Sequence, residues 1–410
     1  MTPRERVFSA VDLGVPDRVP RDLGGMLSTS ISCFAYPGLV AALDLLPRLP
    51  KVVDTGQMLA LPDLDVLDAL GCDVVTIVGQ ATNAFVQPEL WHPYDFGGRL
   101  PALVQHPSTF RAEADGTIVQ MRDASSIPSR MPPAAHTFDT PHAGQTLNLT
   151  DDLPKYDLKA YARELREGEL RDEEIMAIAT LCRQVRESTD RAIFFNNGAI
   201  SPPICIHGHG GLAVFPILCL LEPEYVTELH EIATQHALRN IRALLPEIGA
   251  YVDILMMAAD DWGNQQSLMA PPRVYRDLFL HYRRRLNDAV HKIAPHVKAF
   301  LHSCGAIYDL IPMIADSGFD ILNPVQWSAG KHSYREWKDA SRGKIALWGG
   351  GVNSQVTLPL GTVDEVEAEV REAVGCLSEG GGYVFCNIHN ILAEIAPEKV
   401  IAMYRVAGSL

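Results

Sequence analysis

Apolar positions along this chain follow two periods, one helical and one of short β-branched runs, and the two alternate. Thr2-Pro3-Arg4-Glu5 places a capping hydroxyl, a proline at the first helical position and a glutamate at the third, predicting a helix from Thr2 into Val11 and Leu13. Pro16-Asp17-Arg18-Val19-Pro20 ends it. Leu64, Leu67 and Leu70 recur at helical spacing before Gly71, and the run from Asp73 to Val78 reads as a buried strand. Between about 85 and 155 some nine prolines and several histidines interrupt the pattern, and Phe110 to Met121 alternates around Asp115-Gly116, a hairpin signal. Tyr156 to Thr189 is charged and helical in period, and Arg191 to Phe195 is a strand candidate ending in Asn196-Asn197-Gly198.

The carboxyl-terminal half repeats an apolar run, a polar or glycine-rich break, then a charged periodic stretch. The runs are Val252–Ala259, Val297–Leu301, Phe319–Leu322, Lys344–Trp348 and Tyr383–Phe385, spaced by about 20 to 45 residues. Alternating strands and helices predict a parallel sheet covered on its faces. With this many units and no glycine-rich dinucleotide fingerprint, the expectation is an α/β fold of the (β/α)8 TIM-barrel type. It forms one domain over 1–410, with residues 1–70 as an N-terminal helical extension and 85–155 as an inserted Pro-rich excursion carrying the hairpin. No strict internal repeat is visible.

Composition narrows the partners. At 47% hydrophobic and 21% charged the chain can bury a large core, which excludes a disordered polymer. Thirty-five Lys and Arg against 50 Asp and Glu give a formal charge of −15, so nucleic acid and membrane surfaces are not expected as partners. No apolar run reaches a membrane span and the first residues are charged where a secretory leader is apolar, giving a cytoplasmic expectation. The 8 cysteines lack the dense pairing of a disulfide framework and are expected as thiols.

Chemistry is expected just past the strand ends. Lys298–Leu301 gives way to His302-Ser303-Cys304-Gly305, where a two-residue period lets His302 and Cys304 face one ion. The last run ends in Cys386-Asn387-Ile388-His389, offering a third ligand. The pleat favours Cys386, whereas a turn after Phe385 brings His389. Zinc suits sulfur and imidazole donors, and three protein ligands leave a fourth position for substrate. The competing reading is buried thiols and a hydrogen-bonded core histidine. Cys205-Ile206-His207-Gly208-His209 is a second cluster, read as substrate contact through His207 and His209, as a rival metal site, or as plain loop. Asp260 and Asp261 end another run: either one of them is only a helix cap, or one carboxylate orients or protonates the reacting group while the other is held by backbone donors. Trp262, Trp327 and Trp348 also follow strand ends, either lining a pocket for an aromatic or methylated substrate or packing under loops, with Asn264 and Gln326 supplying amides.

Taken together these motifs resemble the uroporphyrinogen decarboxylase superfamily over nearly the whole chain. The resemblance runs through Thr2-Pro-Arg-Glu-Arg, Pro16-Asp-Arg-Val-Pro20, Asp260-Asp261, His302-Ser-Cys-Gly305, Asp320-Ile-Leu-Asn-Pro-Val325, Gly350-Gly-Val-Asn353 and Gly381-Gly-Tyr through His389-Asn390 to Pro397. It implies the (β/α)8 fold. The family's metal-free decarboxylases hold a polycarboxylate through arginines of an amino-terminal segment, and Asp22–Ser30 here has none. The other branch comprises zinc methyltransferases working with corrinoid proteins, with a His-x-Cys pair and a later cysteine as ligands. His302 and Cys304 match in register. His389 lies nearer the later position relative to Pro397, while Cys386 keeps the residue type.

The resemblance therefore implies a zinc-dependent methyltransferase moving a methyl group between a small methylated substrate (methoxylated aromatic, methylamine or thiol type) and a corrinoid, an O-demethylase component being one form. With no Asp-x-His-x-x-Gly cobalamin motif in the chain, the corrinoid is expected on a separate protein. The alternatives are a metal-free decarboxylase acting on a less charged acid and a non-catalytic zinc-binding barrel. Oligomeric state, including a homo-oligomer, is left open.

Overall fold

The computed structural model describes residues 1–78, 87–121, 128–139, 153–196 and 198–410. The predicted excursion's residues 85–86, 122–127 and 140–152, and Asn197 after the predicted strand, lie outside these. The first helix, Pro3–Val11, starts as the capping motif dictates: the Glu5 N–H donates to Thr2 Oγ1 at 3.2 Å and the Thr2 N–H to the Glu5 carboxylate at 2.8 Å. The amino-terminal seventy residues are not wholly helical. Lys51–Asp54 (β1) and Leu59–Leu61 (β2) pair antiparallel with a bulge between Val52 and Asp54, before the helix Leu64–Leu70 stops on left-handed Gly71.

Val74–Val78 (β3) follows, then His92–Asp95 (β4) and Pro101–Val104 (β5), which join β1 and β2 in a four-stranded sheet. Phe110–Ala112 (β6) and Ile118–Gln120 (β7) pair antiparallel around the Asp115-Gly116 turn, and Ser129–Met131 (β8) adds a third strand. The helical stretch after residue 156 is two helices, Leu158–Glu167 and Asp172–Ser188. Gly168 ends the first and the Arg171–Glu174 capping contacts start the second.

Six further strands complete the parallel sheet: Ala192–Asn196 (β9), Ile254–Ala259 (β10), Lys298–His302 (β11), Ile321–Asn323 (β12), Ala346–Trp348 (β13) and Tyr383–Val384 (β14). The order β14-β13-β12-β11-β10-β9-β3 is a curled, TIM-barrel-like sheet of seven strands. Where an eighth strand would stand, the extended segment Pro20–Asp22 bonds to both outer strands. The Phe385 N–H donates to the Pro20 carbonyl at 2.8 Å, the Asp22 N–H to the Phe385 carbonyl at 2.9 Å, and the Asp73 N–H to the Arg21 carbonyl at 2.7 Å. Asp73, fully buried, fixes this junction through Arg6 at 2.7 Å and Arg18 at 2.8 Å.

Inside the sheet the two-residue period puts Phe194, Phe300, Trp348, Val384 and Cys386 into one apolar cluster, closed below by Val7, Ala10 and Val11 of the first helix. Phe194, Phe300 and Trp348 meet edge to face. The interior is thus filled up to its rim. Among the described residues no helix is long and apolar enough to cross a membrane.

Candidate metal centre

His302 is the last residue of β11 and points into the barrel, level with Asn323 on the neighbouring strand. Asn323 donates its amide N–H to the Trp348 carbonyl at 2.9 Å, which leaves its oxygen to accept from His302 Nδ1 at 2.6 Å. The proton on Nδ1 leaves Nε2 as a lone pair aimed at the rim. Ser28 Oγ lies 3.1 Å from the same Nδ1.

Cys304 follows two residues later, with its Sγ 3.1 Å from His302 Nε2. Its loop is fixed from both sides: the Cys304 N–H donates to Asp261 Oδ1 at 2.8 Å and the Gly305 N–H to Gln326 Oε1 at 2.7 Å. Gly305 has φ +85°, and a Cβ there would stand 2.3 Å from the Gly263 backbone, so the loop after β10 can pass only over glycine.

The third donor is His389. Its backbone has φ +62°, and its ring turns back to 5.8 Å from that of His302. The ligand atoms of His302, Cys304 and His389 all lie within 4.8 Å of one another. Cys386 is not among them. The pleat that favoured it aims its sulfur into the barrel interior, where it is fully buried beside Trp348 and Val384 and burial pushes its thiol far up.

This donor set fits a borderline-soft divalent ion. Burial, with His302 next to it, pushes His389 down to about 4, so it stays in the neutral, ligating form. Burial and Asp261 push the Cys304 thiol well up, so the thiolate needs a cation beside it. Burial works against ionisation of Asp261 too, yet His302 and the Cys304 N–H outweigh it and hold the carboxyl below its ordinary value. Its Oδ1 lies 3.7 Å from His302 Nε2.

The other predicted residues divide. Asp260 faces away from the centre. Fully buried, it accepts from the Ile206 N–H at 2.6 Å, Trp262 Nε1 at 2.7 Å and Arg283 Nη2 at 3.1 Å, and so anchors the 204–206 loop. Trp262 and Trp348 are both fully buried rather than exposed to a substrate: Trp348 faces the barrel interior with Phe194 and Phe300, whereas Trp262, past the end of β10, packs outside it against Tyr275 and Phe279. Trp348 donates Nε1 to buried Asp22 at 2.9 Å, and half-buried Trp327 donates to the Gly350 carbonyl at 2.7 Å. Asn264 folds onto its own turn, accepting from the Gln266 and Ser267 N–H groups, and Gln326 supports the Cys304 loop. His207 and His209 do line a cavity of about 570 Å³ that reaches Asp261. A second cavity of about 400 Å³ reaches His389 beside Gln57, His136 and Asn390.

Ser28 is a site residue that sequence reasoning passed over, and Asn323 entered it only as one amide of a stretch suited to hydrogen bonding, not as a partner of His302. Asn323 carried a signal, since it ends an apolar run as His302 does. Ser28 carried none, lying in a segment without period.

A family model described as uroporphyrinogen decarboxylase (URO-D) matches residues 169–410, which contain all three donors. A curated uroporphyrinogen decarboxylase from Syntrophotalea carbinolica is 28% identical over 177 residues. That match covers 43% of this chain, and the chain spans only 46% of the relative. Among solved structures, a methyltransferase from Methanosarcina mazei aligns over 100% of this chain and 99% of its own, with a TM-score of 0.58 and 17% identity. Likeness at that identity carries the fold.

Proposed function

From the premise that the chain belongs to the uroporphyrinogen decarboxylase family, we propose that it is a zinc-dependent methyltransferase acting between a small methylated molecule and a corrinoid held by a separate protein. The carrying observation is the meeting of His302, Cys304 and His389 with ligand atoms within 4.8 Å, at the rim of what we read as a (β/α)8 barrel whose eighth place is taken by Pro20–Asp22. These three residues would hold the ion, which when bound supplies Lewis-acid stabilisation of negative charge on the substrate's heteroatom. The structural neighbour titled a methyltransferase supports the reaction class by analogy of fold. Asp22–Ser30, without Arg or Lys, offers a polycarboxylate nothing to bind, which weighs against the decarboxylase reading.

The chain's own residues do the positioning. Asn323 and Ser28 keep the proton on Nδ1 of His302, so Nε2 stays a ligand. Asp261 holds the Cys304 backbone and adds a negative wall to the centre. The packed interior beneath keeps water from approaching from below.

Metal analysis and a transfer assay test this. Near one zinc per chain is expected, lost in His302→Ala, Cys304→Ala and His389→Ala and kept in Cys386→Ala. Methylation of cob(I)alamin is followed spectrally across methoxylated aromatics, methylamines and thiols. Full activity of zinc-free protein, or silence across the panel, would overturn the proposal.

A further inference from the structure

Resting on that reading, we infer that Asp22 is a positioning residue for the metal centre, its buried carboxylate fastening both of the side chains that orient the His302 imidazole. Its hydrogen bonds go to none of the three donors themselves. Two separate routes lead to it from His302, each a short series of hydrogen bonds, and both end on the same carboxylate.

The first route follows the chain. Asp22 Oδ1 accepts from the Gly25 N–H at 2.7 Å and Oδ2 from Thr29 Oγ1 at 2.8 Å, closing a turn that the Gly24 N–H completes on the Thr29 carbonyl at 3.2 Å. Ser28 sits in that turn, with its Oγ 3.1 Å from His302 Nδ1. The second route crosses the barrel. Asp22 Oδ2 also accepts from Trp348 Nε1 at 2.9 Å, and the Trp348 carbonyl accepts from the Asn323 amide at 2.9 Å. That bond turns the Asn323 oxygen toward His302 Nδ1, 2.6 Å away. A shift of the Asp22 carboxylate therefore reaches the imidazole from both sides of Nδ1.

The chemistry of this node differs from that of the other fully buried aspartates. Asp73 pairs with Arg6 and Arg18, Asp253 with Arg4 and Arg186, and Asp260 with Arg283. Among the described residues no lysine or arginine pairs with Asp22, whose side chain is held by N–H and O–H donors alone. Burying a carboxylate without a cation is costly, and the arginine pairs already brace the fold. What such a carboxylate offers is two oxygens that only accept, so that all three donors are satisfied at once; an amide would turn an N–H onto one of them.

Two readouts on the full chain test this. In the metal-free chain, nitrogen NMR shifts of isotope-labelled histidines at about pH 8, above the ordinary histidine range, report which nitrogen of His302 carries the proton, with His302→Gln assigning the signals. Chelator competition reports zinc affinity. Thr29→Val cuts the first route, and Trp348→Phe cuts the second while keeping the carbonyl that Asn323 uses. Each is expected to weaken zinc binding about threefold and Asp22→Ala about tenfold, with the His302 proton moving partly to Nε2. Added to Ser28→Ala with Asn323→Leu, Asp22→Ala should cost less than about twofold more, since the carboxylate then has nothing to act through. Asp253→Ala breaks a buried pair at the amino-terminal end of the strands and should lower the unfolding temperature without moving either readout. Where Asp22→Ala does not fold, Thr29→Val and Trp348→Phe decide. A His302 proton unmoved by these variants, an equal movement in Asp253→Ala, or the full loss added in the double-variant background overturns the inference. An unaltered chain that takes up no zinc, or transfers no methyl group, refutes the methyltransferase reading, while a displaced His302 proton still upholds the role of Asp22. Zinc uptake and transfer with the proton unmoved does the reverse.

Discussion

Replacing Asn323 by leucine removes the group that sets the protonation of His302 while leaving all three donors in place. With the Asn323 oxygen gone, Nδ1 keeps only Ser28 Oγ at 3.1 Å, and the tautomer bearing its proton on Nε2 becomes competitive. Loss of such an outer partner lowers metal affinity by roughly 10- to 100-fold, or about 1.4–2.7 kcal/mol. The remaining serine bond argues for the lower half of that range, and Asn323→Leu with Ser28→Ala together for the upper half. The substitution also leaves the buried Trp348 carbonyl without its donor, at a stability cost of about 1–3 kcal/mol. Two measurements separate the effects: chelator competition against the cobalt-substituted chain, whose thiolate charge-transfer band reports occupancy, and thermal unfolding of the metal-free chain. An unchanged affinity in the double variant, with the usual loss of stability, would refute the claim that these two side chains orient the imidazole.

Other perturbations follow from the same contacts. Burial pushes Asp22 up to about 6 from 3.8, despite donors from Thr29 and Trp348. The unfolded chain therefore ionises it first as pH rises, and stability should fall by about 3 kcal/mol between pH 4 and 6 and level off above. Asp22→Asn should flatten that part of the denaturation-midpoint profile, and an unaltered slope contradicts the assignment. Asp260→Ala leaves Arg283 buried and unpaired, with an expected loss of about 3–5 kcal/mol in urea unfolding; a change under 1 kcal/mol (roughly) would show the pair to be incidental. Gly305→Ala forces a Cβ onto the Gly263 backbone, so zinc content should drop sharply while circular dichroism still reports a folded sheet.

Much of this was legible in the amino-acid order because strand periodicity is a local property. The runs before His302, Asn323 and Trp348 became strands, and a two-residue period at β11 set His302 and Cys304 close together. The same period misleads where the chain leaves the sheet. Cys386 keeps the pleat and therefore ends inside, whereas His389 reaches the rim through a left-handed backbone turn that no pattern of apolar residues encodes. Tryptophans at strand ends invite a pocket, but parity decides their direction and sends Trp348 inward to Phe194 and Phe300. The strands at 51–61 were hidden because each is too short to show a period. Ser28 meets His302 across 274 positions, a distance that only tertiary packing resolves.

The bonds that Pro20–Asp22 makes to Phe385 and Asp73 bear on how the molecule assembles. During synthesis one half of this clasp emerges first and waits for almost the entire polypeptide before its partner leaves the ribosome. Until then two naked strand margins and a greasy lumen face solvent, which is a slow, long-range and aggregation-exposed route. Deleting the residues ahead of Leu23 would make that transient condition permanent.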